Sequence, residues 1–581
     1  MIESPMSSSA TRLVHEGWRH LQLERPLAAW ASWQRALRAE PGHPAALEAI
    51  DALASSRELP TAARTTYRFE PPLEQARDRW NEVLGSVGLE ELDAARAAFA
   101  AISDADPSDA QALYNEALCL AWLGRNTEAI AALDRVLTLL AVADPDRAER
   151  AWTLAEVLRL GAGAETEPDD LSFTWVVARP ANALLERWPN LVTRDVPRLP
   201  TGSSNSLEDV RVYDWLDRPP PDVRSVPIRP SDPPRALAVV IVTARELRVS
   251  TPDPSAFELL DEPAFNTVAF VLGQARKEAK PLALALADAA VGMTRAPRDL
   301  AEEARRDLER GAVEMYYESR YLHIPRRGLD DRTPLEAARA AQSGDAVARV
   351  KLSAVVRFRE QLAARPGHEL IYHGYPFDRL RRRLGLLEQE PSTVDSDDPS
   401  CMSEPELDAL EPSALDDERL ADAVESAAGF RDDHRTASFA AELARRNPKT
   451  FARFDPNSVI GPLVRDALAS GSPERALELV EHARATVAEP YRRTMSIWMA
   501  ELLAATGSPD KSRDIYLSIL GPPGSHAAVA LDGAQTLLDN GHIEQALVLL
   551  REARSRAVLP EEKVVGERAE ALLELHRDTN Q

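Results

Sequence analysis

The sequence predicts a mainly α-helical protein in which two helical solenoids flank a small mixed α/β (α+β) middle domain. Three observations predict it. Small, aromatic and proline residues recur near the N-terminus with the period of about 34 residues expected of stacked helix pairs. Near the C-terminus Gly471, Gly507 and Gly541 recur at spacings of 36 and 34 residues. Between them, "RALAVVIVTARELRVSTP" from Arg235 sets two β-branched runs around "TARE", the pattern of a strand pair with a short turn. With 581 residues and 44% apolar side chains, the chain is long enough for several domains with real cores.

The N-terminal repeats come first. Gly17, Ala29, Trp33, Ala36 and Pro41 stand at the offsets where two antiparallel helices need, in turn, close approach, a plug and a stop. Ala95, Phe99, Ile102 and Pro107 repeat the second half of that pattern, and Ala117, Gly124, Ala129, Leu133 and Val136 repeat it again. The helix from Arg147 to Leu160 reads as a further half-unit or a cap, since the last apolar face of an array has no neighbour to cover it. This spacing resembles the tetratricopeptide repeat family and assigns residues 1–165 to an N-terminal solenoid. The resemblance implies that the first helix of each pair lines a protein-binding wall. Carried over residue by residue, that wall comprises Val14, Trp18, Arg77, Trp80, Gln111, Tyr114, Leu118 and Trp122. Aromatic rings there can anchor a peptide, although a ring at helical spacing is also what a core requires. Some family members hold a C-terminal carboxylate with a lysine and an asparagine. The corresponding pairs here are Val14 and Trp18, Trp80 and Leu84, and Tyr114 and Leu118, so that clamp is missing.

Residues 166–235 read as a Pro-rich connecting segment, with nine prolines between Asp195 and Pro234, including Pro219, Pro220 and Pro221. The mixed middle domain spans 236–386: the strand pair, then helices over Pro263–Lys280, Ala301–Tyr317, Thr333–Ala341, Asp345–Leu362 and Pro376–Leu386. Thr333, Pro334 and Glu336 form a capping-box helix start. From 387 to 418 the chain carries twelve Asp or Glu and no Lys or Arg, the composition of a disordered acidic linker. Residues 419–581 form the second solenoid. Ala476, Val480 and Ala483, then Ser512, Tyr516 and Ile519, then Ala546, Leu550 and Ala553 follow the three glycines at the close-packing and plug positions.

The net charge of -24 disfavours general attachment to nucleic acid or anionic lipid. One region departs from it: Arg349, Lys351, Arg357, Arg359, Arg365, Arg379, Arg381, Arg382 and Arg383 cluster in the middle domain. Arg379, Arg381, Arg382 and Arg383 are candidates for an acidic partner or nucleic acid, with Tyr372, Tyr375 and Phe377 available for stacking. A solvated face and an intramolecular dock for the acidic linker are the competing assignments. The stretch from His323 to Leu352 is similar to a short module of bacterial antitoxin and SEC-C-associated proteins, without the cysteine motif of the latter.

No phosphate loop, nucleophile elbow, zinc-binding helix or dinucleotide fingerprint occurs, and "GAGAET" at Gly161 follows a helix rather than a strand. His368 and His373 lie near Tyr372 and Asp378 but at a spacing that divides them between helix faces. No catalytic residue, metal or cofactor is therefore assigned. Only Cys119 and Cys401 occur, no leader pattern opens the chain and no apolar run reaches membrane length, which together indicate the cytoplasm. The expected work is noncatalytic: a scaffold or adaptor for protein or peptide ligands. The alternatives are a nucleic-acid-associated regulator acting through the arginines, and an enzyme with an unrecognised middle-domain site.

Overall fold

The computed structural model describes residues 9–160 apart from 73 and 85–90, six strands between 170 and 280, residue 291, residues 300–387, and residues 397–576 apart from 447–455, 487–488, 521–526 and 558–562. It is mainly helical, with one antiparallel sheet in the middle region. The chain divides into two compact units, the first built from most of the chain up to 394 and the second from 395 onward.

In the first unit, α1 (Ser9–Gln22) and α2 (Pro26–Ala39) form a hairpin, followed by α3 (Pro44–Ala54) and the single turn α4 (Thr61–Arg64). Then come α5 (Arg77–Leu84), α6 (Leu92–Ala105), α7 (Ala110–Trp122), α8 (Asn126–Leu140) and α9 (Pro145–Arg159). Helix starts are chemically specified: Asp109 accepts from the Ala112 amide at 2.9 Å to begin α7, and Asp144 accepts from the Arg147 amide at 3.1 Å to begin α9. Their ends follow one rule. Gly124 takes a left-handed φ of 74°, and the amide of Arg125 reaches back to the Leu120 carbonyl at 2.9 Å, closing a Schellman turn between α7 and α8. Glu24 does the same between α1 and α2, with φ 53° and the Arg25 amide on His20 at 2.9 Å.

The predicted close-packing residues are interior. Ala29, Trp33 and Ala36 are fully buried, as are Ala129, Leu133 and Val136, while Phe99 is 1% exposed. The helices α5 to α9 pack in succession. The α1–α2 hairpin departs from that order, because α2 lies against α7 and the Trp30 and Trp122 rings meet with centroids 6.0 Å apart.

The predicted strand pair is β4 (Ala236–Val242) and β5 (Glu246–Thr251), in register from Val239 opposite Ser250 to Val242 opposite Leu247. The connecting-segment expectation for 166–235 requires correction. That stretch contributes β1 (Asp170–Val176), β2 (Leu191–Thr193) and β3 (Arg211–Leu216), each β-branched or aromatic enough to pair, while Pro219–Pro221 lie outside the described residues. The helix expected over 263–280 is also corrected at its end, where β6 (Arg276–Lys280) pairs with β1. Residues 263–275 lie outside the described set. The six strands run in the order β2-β3-β4-β5-β1-β6, with every neighbouring pair antiparallel.

After the sheet come α10 (Glu302–Met315), α11 (Pro334–Gln342), α12 (Ala346–Ala363) and α13 (Phe377–Arg383). Thr333 and Glu336 complete the predicted capping box of α11, with bonds of 3.1 and 2.8 Å. Among the described residues, these helices join the repeat helices of the first unit. Helix α12 packs on α9, and its Val350, Ala354, Phe358 and Leu362 belong to the same apolar core as α7, α8 and α9. Polar contacts reinforce the join: the Trp152 indole donates to the Gly328 carbonyl at 2.9 Å, and Gln361 accepts from the Ala62 amide at 2.8 Å. So α9 is neither a free half-unit nor a cap. Its second partner arrives from far along the chain, and residues 323–352 run through α11 into the first half of α12 within this array.

The second unit begins earlier than predicted. Residues 397–418, expected as disordered linker, contain short helical turns in which Cys401 is fully buried and Ser403 and Glu406 form another capping box. Their carboxylates have cationic partners in the helices that follow, such as Asp408 with Arg435 and Asp417 with Arg446. Residues 388–396 of that linker are not described. The helices are α14 (Asp417–Gly429), α15 (Asp433–Arg446), α16 (Pro456–Ala469), α17 (Pro473–Thr486), α18 (Glu489–Ala505), α19 (Pro509–Ile519), α20 (Ala527–Asp539), α21 (Ile543–Arg556) and α22 (Lys563–Leu575). The Schellman turn recurs at Gly471, Gly507 and Gly541, with the following amides on Ala467, Leu503 and Leu537, each at 2.8 Å. Ala476, Val480, Tyr516, Ala546 and Leu550 are at most 1% exposed between paired helices.

Candidate peptide-binding groove

The structure does not bring the predicted wall residues together on one open surface. Val14 is 5% exposed and its carbonyl accepts from the Trp33 indole at 3.2 Å. Trp18 is exposed, and its ring stands edge-on to Trp33 with centroids 5.2 Å apart. Arg77 is exposed, whereas Trp80 is buried against Phe99 and donates to Asp109 at 3.0 Å. Gln111 and Leu118 are buried, and Tyr114 and Trp122 are half-buried. The reason is local packing. In the first unit the flank of α7 that an open wall would present is covered by α2 and by another part of the chain.

That covering part is the extended segment from Thr65 to Pro72. Its side chains alternate, with Tyr67 and Phe69 half-buried and Arg68 exposed between them. The Phe69 ring stands 5.1 Å from both Trp122 and Phe99. Tyr67 sits beside Trp30, Leu53 and Trp122, leaving a void of only about 10 Å³. Burial pushes the Tyr67 phenol well above its ordinary range, with Tyr114 adding to the effect, and its hydroxyl donates to the Ala62 carbonyl at 3.1 Å.

The backbone is held as firmly as the rings. The Glu70 amide donates to Asn115 Oδ1 at 2.8 Å, and Asn115 Nδ2 donates to the Glu70 carbonyl at 2.8 Å. One fully buried amide side chain thus satisfies both backbone polar groups of one residue of the segment, in the way a neighbouring β-strand would. Arg147, at the start of α9, closes on the Glu70 carboxylate through Nε at 3.2 Å and through Nη2. The arrangement reads backbone conformation, two apolar side chains and one negative charge.

Sequence reasoning missed Asn115, Arg147, Trp30 and the segment itself. Asn115 follows a predicted wall residue by one position, and "TTYRFE" has a strand-like alternation too short to stand out between helices. Nothing in helical periodicity announces that a connector folds back onto the helices it connects.

Of the four candidate arginines, Arg379 and Arg381 are half-buried in ion pairs, and Arg382 and Arg383 are buried. Arg381 pairs with Glu360 at 2.6 Å and Asp378 at 2.9 Å, and Arg379 pairs with Glu318 at 2.7 Å. Arg383 is 2% exposed and donates to the Glu318 carbonyl at 2.5 Å, while Arg382 is 8% exposed. Tyr372, Tyr375 and Phe377 are buried, and the Tyr375 ring stacks on Tyr317 at 4.8 Å. Buried guanidinium groups need fixed anions, which is why the density of arginine here is matched from within the fold. His368 lies 3.9 Å from the Glu58 carboxylate and His373 3.7 Å from that of Glu309. Among the described residues no group of three His, Cys, Asp or Glu is arranged to hold a metal.

The helices α6, α7 and α8 pack in succession, with a left-handed turn at Gly124 between the last two. Residues 86–148 match the tetratricopeptide repeat. This is the part of the chain that carries Asn115 and Trp122, so the groove is built on matched repeat helices. Among solved structures, the crystal structure of yeast Tom70 aligns over 98% of this chain and 96% of its own, at 11% identity and a TM-score of 0.20. The tetratricopeptide repeat domain of P58(IPK) aligns over 86% of this chain and 98% of its own, at 14% identity and a TM-score of 0.18. No curated protein matches the chain.

Proposed function

We propose that this protein is a noncatalytic scaffold whose repeat arrays hold extended segments of partner proteins. The observation that carries the reading is the grip on residues 65–72, in which Asn115 bonds both backbone polar groups of Glu70 while Trp122 and Arg147 take a ring and a carboxylate. A groove that holds one such strand has the chemistry to hold another. The second unit supplies a further array, with Leu468 43% exposed on α16, and two arrays on one chain raise the local concentration of linked partners. Both cysteines are free and buried, which supports a reducing compartment such as the cytoplasm. No described helix is long and apolar enough to cross a membrane.

The test is a display of random 12-residue peptides on the full-length protein, followed by fluorescence anisotropy of the enriched sequences. Selective enrichment with micromolar binding, absent for an unrelated helical protein, is the expected result. No enrichment over that control would sink the reading.

A further inference from the structure

We propose that residues 65–71 are an internal ligand that gates the first groove, and that the external partner presents an extended aromatic–x–aromatic–acidic segment that displaces them. The inference rests on the scaffold reading above and adds to it the class of partner and a means of regulation.

Three features separate this segment from ordinary core. Its residues alternate between inward rings and an outward Arg68, as an extended peptide does when docked on one side only. Neither ring is fully buried, in contrast to Trp33, Trp152 and Phe358, which are at most 1% exposed. The most specific contacts are addressed to backbone and charge: both polar groups of Glu70 to Asn115, and its carboxylate to Arg147. Those contacts depend on extended backbone and a carboxylate and not on membership of this chain. Any strand with rings two residues apart and an acidic residue directly after the second ring makes the same set.

The tether sets the threshold for entry. A segment attached at both ends competes at a high effective concentration, so an external peptide sees its affinity reduced by the fraction of molecules with the groove open. Partner binding is therefore weak until the internal segment is released. Once it is released, the partner meets a preformed aromatic and cationic seat.

The experiment uses the full-length chain and a fluorescein-labelled synthetic peptide of residues 63–72, "ARTTYRFEPP". The opened variant is Phe69→Ala with Glu70→Pro, which removes a ring, the amide donor and the carboxylate while remaining compatible with extended backbone. The expected result is at least about tenfold tighter peptide binding by the opened variant than by the unaltered chain, as displacement of a mostly closed gate requires. Asn115→Ala added to the opened variant should abolish that gain, as should the peptide carrying the Glu70→Pro change. Loss of helical structure in the opened variant by circular dichroism would show that the segment is core and would overturn the proposal. So would a folded opened variant that binds the peptide no better than the unaltered chain. If displayed peptides still bind in that last case, the gate fails and the scaffold reading stands. A peptide-dissociable dimer of the unaltered chain in sedimentation would make a second copy the occupant and likewise overturn it.

Discussion

Gly17 has no room for a side chain: a Cβ there would sit 2.2 Å from Nε1 of Trp33, which is itself held by the Val14 carbonyl. Gly533 is in the same position, with a Cβ 2.7 Å from the Tyr516 ring. Each glycine lets one helix approach the plug of another, and the rings cannot retreat from a filled core. Gly17→Ala and Gly533→Ala should each cost about 1–3 kcal/mol by overpacking, measured by chemical denaturation. Lys351 makes a different case. Its ammonium is buried over the Trp152 ring at 4.3 Å and bonded to Asp134 and Asp330 at 2.8 Å, while both aspartates remain about half exposed. Replacing the lysine lets the aspartates rehydrate, whereas removing the aspartates strands a buried cation. Lys351→Met should therefore cost roughly 1 kcal/mol, and the double change Asp134→Asn with Asp330→Asn about 3–5 kcal/mol. Equal losses would mean that the ring alone satisfies the ammonium.

At the scale of elements, α12 covers a face of α9 that a repeat array would otherwise leave to water. Phe358 is fully buried in that joint, with Val350, Ala354 and Leu362 along the same helix. Phe358→Ala should destabilise the first unit by about 3–5 kcal/mol. Hydrogen exchange distinguishes docking from decoration: amides of α9 as well as α12 should exchange faster, while those of α20 and α21 stay unchanged. Acceleration confined to α12 would mean that α9 is stable without its late-arriving partner. The 65–72 segment belongs at this scale too, since it is a connector that behaves as an added strand. Its contacts join α6, α7 and α9, the helices in and beside the part of the chain matching the tetratricopeptide repeat.

At the scale of the molecule, each compact unit contains one buried cysteine, Cys119 in the first and Cys401 in the second. Burial pushes the Cys119 thiol up to about 12, with Glu116 adding to the effect, so almost none of it is thiolate at neutral pH. Alkylation by iodoacetamide should be slow at both cysteines in the folded protein. In a denaturant series each should become reactive as its own unit opens, and peptide mapping then assigns one transition to each unit. Simultaneous labelling at every denaturant concentration would show that the two units unfold as one.

The helix pairs are written along the chain. Close crossings demand glycine, alanine or serine, the gap between two helices demands a plug, and a sharp turn demands a left-handed residue; these needs are local and leave a period. Trp33, Leu133, Val480, Tyr516 and Leu550 are where that period puts them. The strand pair around "TARE" was legible for the same reason, as was the capping box at Thr333. Every pairing across distance comes from the fold instead: α12 on α9, β1 between β5 and β6, the arginines of α13 against Glu318 and Glu360, and the 65–72 segment on α7. A charge run looks the same whether its counter-ions are water or buried carboxylates, and a connector looks the same whether it spans a gap or fills a groove. Those outcomes depend on which surfaces meet, and periodicity along the chain carries no record of that.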